Sequence, residues 1–272
     1  MSENLVSKED AIKSLVYTAV ESYAEGFQGR HEGEKDDPEG TLNMEIHNVF
    51  IAVLGPELQF YTALVRSLDS SLGNMLEKLA INIANFSYDV KKCVEGPLGL
   101  EQTRGIAELL EKYKRREITP PTIEDYQFLR TKPSDQSLQT KRHESDYYLI
   151  DKETKNHFLI ELKIGGDLDN KKARSEKEAL LEQFAILSNT LEKNTDIKLC
   201  FATAYNRYGE NKPWKQERVR QFFADDELLI GKDFWNFVCK SEKGYETVLS
   251  SYKERAYLIK KAIEAVKKKY LE

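Results

Sequence analysis

At 272 residues, with 40% hydrophobic and 10% aromatic content, the chain can bury a sizeable core, which excludes global disorder. Its formal charge of −5 excludes a protein that coats nucleic acid indiscriminately, while leaving room for a local basic cleft. Three scattered cysteines (Cys93, Cys200, Cys239) and four histidines without ligand spacing argue against a disulfide framework or a zinc site, and for reduced core thiols in a cytoplasmic protein.

The first ten residues lack the apolar segment of an export signal, and no apolar run reaches membrane length, so no membrane role is expected. Residues 8–25 carry Ala11, Leu15, Val16, Ala19, Val20 and Tyr23 near helical spacing, with Ser7 as candidate cap. The stretch 26–40 holds four glycines and Pro38 and reads as a loop. Helical patterns resume at 42–54, 57–67 and 70–93. In the last of these, Leu72, Leu76, Leu79 and Ile83 form the expected buried stripe, with Glu77 at its edge one turn after Gly73. Glycine within a helix costs about 1 kcal/mol relative to alanine, which hints at close approach by another backbone or by DNA. Residues 102–117 predict a further helix, ended by Pro120-Pro121, and a short segment near 126–129 follows. The stretch 131–143 is polar and basic, with Arg130, Lys132, Lys141 and Arg142 beside the next element. It reads either as a lead-in touching phosphates or as a solubilising linker.

Two apolar runs, 145–150 and 157–163, flank the wholly polar connector 151–156 and predict a β-hairpin. With the turn centred between Glu153 and Thr154, Asp146 falls opposite Glu161, and cross-strand partners lie about 4.5–5.5 Å apart at Cβ. Strand alternation points Glu161 and Lys163 the same way. Two carboxylates this close repel one another, and a hard divalent cation such as Mg²⁺, which takes oxygen ligands, relieves that repulsion. Lys163 then stands as a point charge beside a phosphate, or orients or deprotonates the attacking water. The chemistry predicted is metal-dependent phosphodiester hydrolysis. An edge hairpin held by a salt bridge is the plainer reading. Other acid-x-Lys triplets (Glu153/Lys155, Asp169/Lys171, Asp196/Lys198, Glu210/Lys212) lack either the apolar strand or an upstream acid on a paired strand.

Beyond the hairpin, Gly165-Gly166 leads to Lys171, Lys172, Arg174 and Lys177 around the start of a helix at about 175–192. Cations there oppose the helix dipole, so an outside anion such as phosphate is expected to answer them. The apolar strand 197–204 completes a strand–strand–helix–strand order. Residues 205–220 carry Arg207, Lys212, Lys215, Arg218 and Arg220 against Glu210 and Glu217, with Tyr205, Tyr208, Trp214 and Gln216 among them. This is the best candidate for reading DNA, although part of it fits a solvated helix face equally well. A short strand at 228–231, a helix from Lys232 and a last helix at 244–271 finish the chain.

Asp146 followed by Glu161-Leu162-Lys163 resembles the PD-(D/E)xK nuclease signature, with Ser145 where that pattern often has proline. The run 160–172 resembles type II restriction endonucleases of the TdeIII kind, and the upstream helix and residues 231–235 also fit. The resemblance implies an α/β restriction-endonuclease-like core, a mixed central sheet flanked by helices, with a helical N-terminal region. Residues 1–68 would form that region, and 69–272 the core with C-terminal recognition elements. It implies Mg²⁺ held by Asp146 and Glu161, a supporting acid from the upstream helix at Glu77, and Lys163 at the attacking water; an ordinary surface glutamate is the other reading of position 77. It further implies duplex DNA as partner, contacted by Lys171, Lys172, Arg174, Arg207, Lys212, Lys215, Gln216 and Arg218. A homodimer matched to a palindromic target, GGNCC in that group, and a cognate methyltransferase follow from the same resemblance. Two other classes stay open: a repair or recombination nuclease of this fold without sequence choice, and a DNA-binding module that does not cut.

Overall fold

The computed structural model describes residues 7–133, 138–166 and 168–272, and leaves the side chain of Asp146 outside its description. The chain divides into two compact units, Met1–Ile83 with Glu246–Glu272, and Ala84–Tyr245.

The first unit is helical. Helix α1 (Lys8–Gly33) starts where Ser7 accepts a hydrogen bond from the Asp10 amide at 3.1 Å. Its buried stripe is Ile12, Val16, Val20, Ala24, Phe27 and His31. The last two carry the helix through Gly26 and Gly29 to Gly33, where the sequence predicts a loop. Burying a side chain such as Phe27 contributes about 1.5–3 kcal/mol, enough to offset about 1 kcal/mol for a helical glycine. The true loop begins at Glu34 and is tied by its own side chains: Asn43 Nδ2 donates to the carbonyls of Glu34, Lys35 and Asp37 at 3.1, 2.8 and 2.6 Å, and Glu34 Oε2 accepts the Thr41 amide at 2.9 Å.

A 3₁₀ turn (Met44–His47) and the short α2 (Val49–Ala52) lead into α3 (Pro56–Ala84). One helix stands where the sequence predicts two. The serines that suggest a break are satisfied inside it, since Ser71 Oγ donates to the Ser67 carbonyl at 2.6 Å and Ser67 Oγ meets His31 Nε2 at 2.9 Å. The buried stripe of its second half is Met75, Leu79 and Ile83, while Leu72 and Leu76 are only half-buried. The last helix, α8 (Gly244–Leu271), follows its predicted bounds and adds Val266 to a core of Phe27, Phe60 and Leu64.

The second unit is a mixed sheet with helices on both faces. Its described strands are β1 (Tyr88–Gly99), β2 (Leu138–Asp151), β3 (His157–Leu162), β4 (Ile197–Thr203) and β5 (Leu228–Ile230), in that spatial order. Strand β2 runs antiparallel to both β1 and β3, and β3, β4 and β5 are parallel to one another. Strand β1 replaces the predicted end of a helix. As an edge strand it alternates poorly, because a bulge between Lys91 and Cys93 shifts the register and Pro97 needs no ladder partner on its open side. The polar stretch before the hairpin likewise becomes the first half of β2. Among the described residues, 138–144 pair with β1 and with no second strand, and this part of β2 keeps polar side chains.

Helix α5 (Asn170–Thr190) covers one face of the sheet together with α4 (Leu100–Lys114) and a 3₁₀ segment (Ile123–Arg130). Tyr126 meets Phe184 edge-on at 5.2 Å. Helix α7 (Lys232–Cys239) packs against the other face, where Phe237 lies 4.9 Å from Phe158 and 5.3 Å from Tyr88. Two residues of the proposed basic surface turn out to be core. Lys177 is fully buried against Glu227, and Trp214 is buried 5.9 Å from the Phe201 ring. The basic lead-in is also partnered within the chain: Lys141 reaches Glu182 at 2.8 Å, Arg142 reaches Glu95 at 3.9 Å, and Arg130 donates to the Thr195 carbonyl at 3.1 Å.

Candidate active site

The hairpin turn sets the register on which the site depends. Asp151 Oδ1 accepts the amides of Glu153 and Thr154 at 2.8 and 3.0 Å, and the Asp151 amide donates to the Asn156 carbonyl at 2.9 Å. Burial pushes the Asp151 carboxyl up, but the Thr154 and Glu153 amides and the Lys240 ammonium outweigh it and leave its pKa below the ordinary value. The ladder then pairs Ile150 with His157, Leu149 with Phe158, Tyr148 with Leu159 and Tyr147 with Ile160. Continued by one residue, this register places position 146 opposite Glu161.

Glu161 is the fifth residue of β3, and Lys163 follows the strand while its amide still donates to the Ala202 carbonyl of β4 at 3.0 Å. Glu161 shares a sheet face with Leu159, which packs into the core under α5. The Lys163 ammonium contacts the Glu161 carboxylate and lies 3.2 Å from Glu176 Oε1 on α5. All three are partly accessible, at 14% for Glu161, 34% for Lys163 and 24% for Glu176, so they line a surface where a substrate can reach them.

Glu176 was missed from the sequence, yet it carries a signal. Ala173, Glu176, Leu180 and Phe184 follow one another at spacings of three, four and four, the inward stripe of an amphipathic helix, and a carboxylate there calls for a partner. The donor set suits a hard cation. Carboxylate oxygens are the ligands Mg²⁺ prefers, and the lysine ammonium already shows that positive charge is stabilised between Glu161 and Glu176. If Glu176 positions Lys163, Glu176→Gln should lower kcat about ten-fold and leave KM within about two-fold, as for other groups that orient a functional side chain. Steady-state cleavage of a short duplex would measure this, and a change confined to KM would remove the role.

The remaining residues are placed as follows. Glu77 is half-buried on α3, in the helical unit. Lys171 and Lys172 are exposed in the first turn of α5, whose cap Asp169 accepts the Lys172 amide at 2.7 Å. Arg174 is half-buried and paired with Glu111 at 2.6 Å. Asp167, part of the run that carries the resemblance, lies outside the described residues.

The loop after β4 lies at the carboxyl end of the parallel strands, where α/β proteins bind their ligands. Asn206 and Glu210 build it. Asn206 donates to the Lys212 carbonyl at 2.8 Å and accepts the Tyr208 amide at 3.0 Å, while Glu210 accepts the Asn206 amide at 3.0 Å. Tyr205 and Tyr208 stay exposed, as do Arg207, Lys212, Lys215 and Arg218. Gln216 is half-buried, with Nε2 3.5 Å from the Gly166 carbonyl. Gly166 has φ +63°, and a Cβ there would lie 2.7 Å from Thr203 and 3.2 Å from Trp214, so the turn out of β3 fits closely against this loop only as glycine. Arg220 turns back to Asp225 at 2.9 Å.

His157 begins β3, and its Nδ1 lies 2.7 Å from the Tyr148 hydroxyl. Burial holds its imidazole below the usual value of 6.5. The unfolded chain therefore binds a proton near 6.5 that the folded chain refuses until lower pH, and stability should fall as pH drops through that window. His31, buried in the helical unit, has a lowered pKa too and adds a contribution of the same sign. In urea denaturation from pH 7 to 5, His157→Gln should flatten this dependence in part. An unaltered slope would show that His157 contributes nothing to it.

A family model described as HinfI, type II restriction endonuclease, matches residues 8–256. Searches of curated proteins and of solved structures give no match. The family match takes in nearly the whole chain, including the hairpin, Glu161, Lys163 and the loop after β4. The chain thus belongs to the HinfI family of type II restriction endonucleases, which are site-specific deoxyribonucleases.

Proposed function

We propose that this enzyme cuts both strands of a short palindromic DNA site as a homodimer, using Mg²⁺ held by Asp146 and Glu161. The observation that carries this reading is the ammonium of Lys163 set between Glu161 and Glu176 at the carboxyl end of β3. When bound, the cation supplies Lewis-acid stabilisation of charge developing on the scissile phosphate. Lys163 orients the attacking water and offsets charge on the non-bridging phosphate oxygens. Glu161 and Glu176 hold the ammonium in place between substrate encounters. A supporting role for Glu77 belongs to the same proposal and rests on the resemblance alone.

Lys171 and Lys172 face the phosphate backbone in this reading. Arg207, Lys212, Lys215, Gln216 and Arg218 supply contacts along the groove, with Tyr205 and Tyr208 as stacking or wedge groups. Arg174 joins them only by exchanging Glu111 for a phosphate. The narrower reading, a TdeIII-like enzyme cutting GGNCC beside a cognate methyltransferase, rests on the run 160–172, and the family match does not extend to it. Digestion of a mixed-sequence plasmid with Mg²⁺, followed by sequencing of the ends, tests the proposal. Discrete fragments sharing one palindrome support it; a smear or loss that depends on free ends would overturn it.

A further inference from the structure

The helical unit has an apolar surface that its own core does not use. Of the seventeen large hydrophobic residues exposed among the described residues, nine fall within 44–65, at 37% to 83% exposure, with Phe50 and Val53 the most open. The 3₁₀ turn carrying this segment is fastened to α3, since Glu45 pairs with Arg66 and its carbonyl accepts from Gln59 Nε2 at 3.5 Å. The segment and the first turns of α3 therefore make one continuous surface.

Helix α3 is apolar on two sides. Phe60, Ala63 and Leu64 face the core of the unit, while Leu58, Tyr61 and Val65 recur at spacings of three and four and remain exposed, with Leu54 exposed just before the helix. That spacing is the seam of a helix packed against another helix. The nine side chains leave on the order of 1,000 Å² open, more than the ~300–600 Å² of the largest patch on a typical monomer. It also exceeds the ~800 Å² that each partner gives to a standard interface.

We infer that this surface joins two copies of the chain, an inference that rests on the nuclease reading for its purpose but not for its evidence. Charge selects the occupant. Between positions 44 and 65 the only charged residues are Glu45, already paired and 6% exposed, and Glu57. No lysine or arginine falls within the segment, and the cations at its margin are already engaged, Arg66 by Glu45 and Lys267 by the Tyr61 hydroxyl. Such a nearly neutral surface suits its own copy across a two-fold axis, which a charged one would repel, better than it suits nucleic acid.

Sedimentation of the full chain tests this. The wild type should sediment near twice 31.4 kDa at micromolar concentration, and both Phe50→Asp/Val53→Asp and Leu58→Glu/Val65→Glu should sediment as single chains. These positions are exposed in the protomer, so circular dichroism should stay unchanged, and the variants should melt where the wild type melts when diluted to single chains. On supercoiled plasmid with Mg²⁺ the wild type should give linear product and the variants mainly nicked circles. A monomeric wild type, including one that partitions onto lipid vesicles, or variants that remain dimers would overturn the inference. The nuclease reading is judged apart, by whether the wild type cuts at all.

Discussion

Alanine in place of Lys163 should slow Mg²⁺-dependent cleavage by about 10³-fold while DNA binding changes by less than about three-fold, the scale for losing a group that moves or orients a proton. The ammonium touches Glu161 and lies 3.2 Å from Glu176. Without it, the Glu161 and Glu176 carboxylates lose the cation set between them and repel one another. Lys163→Arg should rescue little, because a planar guanidinium spreads its charge and hydrogen bonds where the ammonium acts at a point. Stability should move by less than about 1 kcal/mol, since the side chain is one-third exposed. Gel-shift binding in Ca²⁺ beside cleavage in Mg²⁺ separates the two effects. Cleavage at the wild-type rate, or binding lost in step with cleavage, would remove Lys163 from the reaction.

The contrast between Lys163 and its neighbours shows what the sequence could and could not reveal. The hairpin was legible because two apolar runs and a polar connector allow one register, and the ladder from Tyr147/Ile160 to Ile150/His157 follows it. The pairing of Glu161 with Lys163 follows from strand alternation alone. Glu176 depends on how α5 docks, thirteen positions beyond Lys163, and no local pattern states that distance. Strand β1 escaped notice because an edge strand is half-solvated and a bulge breaks its period, so its first residues read as the end of the helix predicted at 70–93. Gly26 and Gly29 misled in the other direction: local propensity favoured a loop, and the burial of Phe27 and His31 overrode it. Charge was the least legible property. Lys177 and Arg174 look alike in a basic stretch, yet one is enclosed by rings and the other salt-bridged near the surface.

Lys177→Met should destabilise the sheet unit by about 3–5 kcal/mol, the cost of leaving a buried charge without its partner. Lys177 Nζ donates to both Glu227 oxygens, at 2.6 and 2.7 Å, and lies 4.8 and 5.0 Å from the rings of Tyr126 and Phe223. Burial lowers the lysine pKa while the Glu227 carboxylate opposes that shift. The same carboxylate accepts the Ala224 amide at 2.8 Å, closing the 3₁₀ turn that leads into β5, so the pair pins α5 to the chain entering that strand. Replacing both partners, as Lys177→Met/Glu227→Leu, should recover most of the loss, because an apolar pair of similar volume carries no desolvation cost. A urea-denaturation double-mutant cycle at pH 7 measures the coupling. A single-variant cost below about 1 kcal/mol would mean that the pair does not hold α5. The consequence for cutting follows from adjacency: Glu176 precedes Lys177 on the same helix, one reaching Lys163 and the other the core. Cleavage by Lys177→Met should therefore decline with the folded fraction as temperature rises. A decline ahead of unfolding would show α5 loosening while the sheet stays intact, with Lys163 losing its second carboxylate first.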